Sequence, residues 1–175
     1  MDKIIEKAKS IRLVIFDVDG VLSTGALTYG PNETEAKTFH VHDGMGMRML
    51  LKSGVQIGII TARNSSVVTK RMQDLEIVHV YQGSADKVPA YEDLKKKLNI
   101  QDHQIAYVGD DLPDLPLLKR VGLSITVPNA PLIMREHTHM TTHKKGGKGA
   151  AREVCELIMH AQNSYAALLQ TYLDR

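Results

Sequence analysis

The chain has 175 residues, is 43% hydrophobic and 24% charged, and carries a formal charge of +2. That length supports one buried core, and so small a charge, with few aromatics and no Trp, offers no footing for nucleic acid. Cys155 is the only cysteine, which excludes an intramolecular disulfide and a multi-thiolate zinc site; no apolar run approaches the ~20 residues of a bilayer span. The opening MDKIIEKAKS is charged throughout and reads as a short amphipathic helix rather than a secretory signal, so a cytoplasmic location and no membrane partner are expected.

The first strong element is Ile11–Phe16, a nearly unbroken apolar run that reads as a strand buried on both faces. It ends in Asp17-Val18-Asp19-Gly20, two carboxylates and a glycine at a strand tip, where open α/β sheets place ligands. Ala26–Tyr29 and Lys37–Val41 then flank Gly30-Pro31-Asn32-Glu33, the signature of a β-hairpin with a longer loop. A two-stranded hairpin is marginal alone and needs a cover, for which a neighbouring subunit is the simplest source. Further strands are expected at 55–60, 78–81, 104–108 and 123–126, and helices at 44–52, 65–75, 86–98 and 113–120. One long helix is expected over 150–173. This alternation implies an α/β, Rossmann-like three-layer sandwich with a mostly parallel sheet, in a single domain over 1–175 with its hairpin at about 26–41.

Thr61-Ala62-Arg63 follows the second long strand, and Lys87 opens a helix, where a cation is out of place unless it faces an anion. Gly109-Asp110-Asp111-Leu112-Pro113-Asp114 puts three acids at another strand end, where they repel unless a cation gathers them. An oxygen-only donor set suits magnesium, and a threonine and a lysine suit a phosphoryl group. The run Lys144-Lys145-Gly146-Gly147-Lys148 lacks Walker spacing and is not a P-loop; its glycines suggest a mobile segment able to gate product release. The pairs His40/His42 and His137/His139 would each share a face on a strand, but the second lacks a third ligand. Surface or substrate-contact roles are preferred to zinc.

The four segments FDVDG, TAR, Lys87 and GDDLPD resemble, in order and in sheet position, the motifs of the haloacid dehalogenase superfamily. The resemblance implies Asp17 as nucleophile and metal ligand, and Asp19 as general acid/base with its carbonyl on the metal. It implies Thr61 and Lys87 as phosphoryl holders, Asp110 as a further metal ligand, and Asp111 and Asp114 as outer, orienting acids. Magnesium is the implied cofactor. The short hairpin leaves no room for a cap domain. With FHVHDGMGMRML, YQGSADK and GGKGAAREVCELI, the chain resembles the capless 3-deoxy-D-manno-octulosonate 8-phosphate phosphatase family.

That family implies hydrolysis of a sugar-acid phosphate in lipopolysaccharide precursor synthesis. It also implies a homotetramer whose hairpins form a central barrel and whose tails, from about 144–173 here, close neighbouring sites. Its substrate positions fall on Asp19, His40, Val41, His42, Asp43, Gly44, Arg48, Arg63, Arg71 and Lys87, the arginines suiting a carboxylate. The chain departs from the pattern at His42 and Lys148, usually arginine, at Met45, usually tyrosine, and at Ala62, usually glycine. These departures bear on which sugar acid is taken. A sialic-acid-type 9-phosphate is the alternative substrate. A non-catalytic oligomerisation domain and a signalling receiver are alternatives of another class, and the intact acids, Thr61 and Lys87, in this order, argue against both.

Overall fold

The computed structural model describes residues 2–31 and 34–174, so Asn32 and Glu33 of the expected hairpin turn lie outside the described residues. Helix α1 (Asp2–Lys9) leads into β1 (Leu13–Phe16), every residue of which is buried. The main sheet adds β4 (Gln56–Ile60), β5 (His79–Tyr81), β6 (Ile105–Val108), β7 (Leu123–Thr126) and β8 (Met140–Thr141). Its order is β5-β4-β1-β6-β7-β8 and all pairings are parallel, with β1 central. Strand alternation then builds two cores. Val14, Phe16, Ala106 and Val108 face one layer, whereas Leu13, Ile15, Ile105 and Tyr107 face the other. The first layer contains α1, α2 (Val41–Lys52), α3 (Ser66–Asp74) and α7 (Ala150–Ala161); the second contains α4 (Val88–Leu98), α5 (Leu115–Leu118) and α6 (Leu132–Glu136).

Several boundaries differ from expectation for identifiable reasons. Helix α2 starts three residues early because His40 Nδ1 accepts the His42 N–H at 3.3 Å and acts as the cap. The helix expected over 113–120 is a 3₁₀ turn, Leu112–Asp114, followed by the single turn of α5. The expected 150–173 helix is broken: α7 ends near Gln162, Asn163 adopts a left-handed φ of 57°, and α8 (Tyr165–Leu173) starts afresh. Gln162 fixes that corner by donating to the carbonyls of Ile11 at 2.7 Å and Ala8 at 3.1 Å. Helix α6 and strand β8 carry no clear sequence signal, since they are only five and two residues long.

The hairpin is present but shifted. It consists of β2 (Thr28–Tyr29) and β3 (Glu35–Ala36), antiparallel, with Tyr29 opposite Glu35. Lys37–Val41 is not its second arm: Lys37 turns inward, Phe39 bridges to Ser23, and Val41 already belongs to α2. Neither His-x-His pair lies on a strand. His42 is in α2, and His137 and His139 flank the end of α6, with His139 Nδ1 accepting the Ser124 N–H at 2.9 Å. The shared-face zinc geometry therefore does not arise.

The Lys144–Gly149 segment, expected to be mobile, is tied to its own chain. Asn129 accepts the Gly146 N–H at 2.8 Å and donates to Gly20 O at 3.0 Å, while Gly147 N–H donates to Val21 O at 2.8 Å. A Cβ on Gly146 would sit 1.6 Å from Gly20 O, so only glycine permits this approach. Among the described residues no helix is long and apolar enough to cross a membrane.

Candidate active site

The carboxyl ends of β1, β4 and β6 meet at one cleft of about 290 Å³, lined by Asp17, Asp19, Thr61, Arg63, Lys87 and Asp110 among others. Asp17 follows β1 directly, and its N–H donates to Val108 O at 3.0 Å, which extends the ladder one residue into the site. Thr61 follows β4 and is buried, with its N–H on Tyr81 O at 2.9 Å. Gly20 turns the chain away at a φ of 91°, and a side chain there would strike Asp110 Oδ2 at 1.9 Å.

Lys87, at the N-cap of α4, is 3% exposed and reaches Asp17 Oδ1 at 2.8 Å and Asp114 Oδ1 at 2.5 Å. Burial works against its charge, but the two carboxylates outweigh that and hold its pKa above the ordinary value. Asp114 is saturated. Its Oδ1 also accepts the Tyr107 hydroxyl at 2.6 Å, and its Oδ2 accepts the N–H groups of Asp110 at 2.9 Å and Asp111 at 3.2 Å. Tyr107 was absent from the sequence-based site because it looked like an ordinary strand residue; only its position opposite Lys87 reveals its part.

Oxygens of Asp17, Asp110 and Asp114 lie within 4.8 Å of one another. Burial, with Asp17, Asp114 and Asp111 as like-charged neighbours, pushes Asp110 up to about 8. Burial also pushes Asp17 up to about 6, against the pull of Lys87. Crowded carboxylates lacking enough positive charge fit a hard divalent cation. Because the Asp114 oxygens are already occupied by donors, Asp17 and Asp110 are the side chains free to ligate, and Asp114 orients the loop. Asp111 is turned outward and caps Leu112 N–H at 2.8 Å.

Asp19 lies at the cleft edge in a ring of alternating charges. Lys37 contacts its Oδ1 at 2.5 Å and Glu35 at 3.1 Å; Arg63 pairs with Glu35 at 2.9 Å and lies 3.8 Å from Asp19 Oδ2. Neither carries a signal of its own in the sequence, where Lys37 only opens the expected second arm of the hairpin.

The remaining expected substrate residues do not line this cleft. Val41 and His42 form the exposed start of α2, and the half-buried His40 caps it. Asp43 is buried and accepts the N–H groups of Arg152 at 2.8 Å and Gly149 at 3.2 Å, capping α7 from a neighbouring helix. Gly44 makes room for Arg71, whose guanidinium lies over Phe39 and donates to His40 O at 3.4 Å. Arg48 faces a separate groove with Glu76 and Tyr172.

The haloacid dehalogenase-like hydrolase profile matches residues 59–154. The chain is 45% identical to 3-deoxy-D-manno-octulosonate 8-phosphate phosphatase KdsC of Yersinia pestis over 162 residues, 93% of this chain and 87% of that one. Its fold superposes with a TM-score of 0.95 on the crystal structure of the corresponding phosphatase from Moraxella catarrhalis in complex with magnesium, phosphate and KDO. That pair is 46% identical, covering 98% of this chain and 99% of the other. The cobalt-bound phosphatase from Haemophilus influenzae gives a TM-score of 0.89 at 37% identity, over 94% and 99% of the two chains.

Proposed function

The chain belongs to the haloacid dehalogenase-like hydrolases, and from that premise we propose that it hydrolyses 3-deoxy-D-manno-octulosonate 8-phosphate, in lipopolysaccharide precursor synthesis. The observation that carries this reading is the meeting of Asp17 and Asp110, from adjacent strand tips, with Lys87, from the start of α4, in a chain 46% identical to a relative crystallised with magnesium, phosphate and KDO.

In this reading Asp17 attacks phosphorus, the bond from phosphorus to the sugar oxygen breaks, and Asp19 gives its proton to the departing oxygen. Water then attacks the aspartyl-phosphate, Asp19 takes back a proton, and phosphate leaves with Asp17 restored. Lys87 holds Asp17 in line at 2.8 Å and, with Thr61, receives the phosphoryl oxygens. Asp17, Asp110 and the Asp19 carbonyl would hold magnesium, which supplies neutralisation of phosphoryl charge when bound. Arg63, which lines the cleft, serves in this reading to grip the sugar carboxylate.

His40, Val41, His42, Arg48 and Arg71 join the reading as residues that act across a subunit boundary, since one chain leaves them outside the cleft, while the buried Asp43 and Gly44 support that helix start from within. The homotetramer is supported by the exposure of Leu27, Tyr29 and Val41 on and beside the hairpin. The whole of 1–175 is taken as one catalytic unit, working in the cytoplasm. Purified protein should release phosphate from the octulosonate 8-phosphate with magnesium and lose that activity in EDTA. Preference for a sialic-acid-type 9-phosphate would move the substrate to the alternative, and inactivity on both would defeat the reading.

A further inference from the structure

Lys37 presents an unusual burial. Its side chain is 1% exposed although it directly follows the short hairpin strand β3, and lysine is almost never so buried unless paired. Its partners are Glu35 at 3.1 Å, from β3, and Asp19 Oδ1 at 2.5 Å, from the loop after β1. The two oxygens of Asp19 are therefore unequal. Oδ1 takes Lys37 and a long 3.5 Å contact from the Ser23 hydroxyl, whereas Oδ2, among the described residues, has only Arg63 Nε at 3.8 Å, beyond hydrogen-bond range.

We infer that Lys37 is the positioning residue of Asp19, gripping Oδ1 so that Oδ2 is the oxygen presented to the departing substrate oxygen. Glu35 completes the device by holding Lys37 and Arg63 in register. The hairpin thereby reaches into the chemistry of its own subunit as well as providing an exposed surface. A carboxylate free to rotate would divide its time between productive and unproductive orientations, and fixing one oxygen removes that loss.

The inference rests on the phosphatase reading, and its test separates the two. A primary-alcohol phosphate needs a proton on its leaving oxygen, whereas p-nitrophenyl phosphate expels an anion that is already stable. Lys37→Met should therefore lower kcat/KM, which reads the steps up to aspartyl-phosphate formation and not its later hydrolysis, by ~10–100-fold for the primary-alcohol phosphate, part of the ~10²–10⁴-fold that general acids contribute, and by less than ~3-fold for p-nitrophenyl phosphate. Lys37→Arg should recover part of the selective loss. Should Lys37→Met melt early, Lys37→Gln, which keeps a donor at similar reach, must show the same direction of selectivity. Equal losses on both substrates, or none on either, would overturn the positioning role. A wild-type enzyme active on primary-alcohol phosphates other than the octulosonate would revise the substrate and leave this test intact; inactivity on every phosphate would remove both readings.

Discussion

The Tyr107 hydroxyl donates to Asp114 Oδ1 at 2.6 Å, in a buried corner where Lys87 reaches the same oxygen. This contact makes the floor of the cleft a single hydrogen-bonded unit, linking β6, the 3₁₀ turn and the start of α4. Asp114→Ala would free the N–H groups of Asp110 and Asp111 and deprive Lys87 of its closest partner. Magnesium affinity or turnover should fall ~10–100-fold, as when an orienting group behind a ligand is removed. Isothermal titration with magnesium, alongside kcat, measures this. Tyr107→Phe, losing one donor, should cost about 1 kcal/mol of stability and a smaller fraction of activity.

Asp17→Asn should lower phosphate release by at least ~10³-fold, because Asp114, the other carboxylate on Lys87, is already committed to its donors and loss of a nucleophile is not made up by its neighbours. Rapid-quench detection of a protein-bound phosphoryl group in the wild type, absent from this variant, checks the assignment. Retained turnover would remove Asp17 from the role.

The acidic cluster makes the metal-free fold pH-sensitive in a defined direction. Asp110 is raised to about 8 and Asp17 to about 6 from the ordinary 3.8, so the folded state holds these protons more tightly than the unfolded chain. Their contribution favours the fold below 3.8 and is lost as pH climbs through 6 and then 8. In EDTA the Tm should therefore fall across that interval. Magnesium should raise Tm more at about pH 8.5 than at about pH 5.5, where protons compete for the same oxygens. Asp110→Asn should flatten the EDTA profile; an unchanged slope would show that the repulsion lies elsewhere.

Asp43 joins α2 to the start of α7 through its contacts with Arg152 and Gly149. Asp43→Ala should cost about 1–2 kcal/mol, the upper range for loss of a helix cap. In a chain of this size that is a Tm decrease of about 2–8 °C, read by thermal melting. Because the cap holds the Gly146–Gly149 loop against Gly20 and Val21, turnover should fall alongside stability.

Much of the site was legible along the chain. Asp17, Asp19, Thr61, Lys87 and Asp110 are conspicuous because charged or hydroxyl residues follow apolar β-branched runs, and burying them needs a reason. The same logic yielded the five longer strands and the parallel sheet. What escaped notice had no such contrast. Glu35 and Lys37 sit in and just after the short polar strand β3, Tyr107 in an apolar strand, and β8 spans only Met140–Thr141. The break at Asn163 was hidden because helical spacing resumes after it.

The order of apolar runs and strand-tip acids, by itself, determined the layered α/β architecture and the chemistry of an oxygen-donor, phosphoryl-handling centre. Local pattern suffices there, since a strand buried on both faces announces itself and a carboxylate at its end stands out. Only the tertiary structure decided the division of labour. It committed Asp114 to four donors, turned Asp43 into a helix cap, bound Lys37 to Asp19, and left His40, Arg48 and Arg71 outside the cleft. Those outcomes depend on which distant groups arrive within about 3 Å, and hydrogen-bond pairing across the fold has no periodicity for a sequence to display.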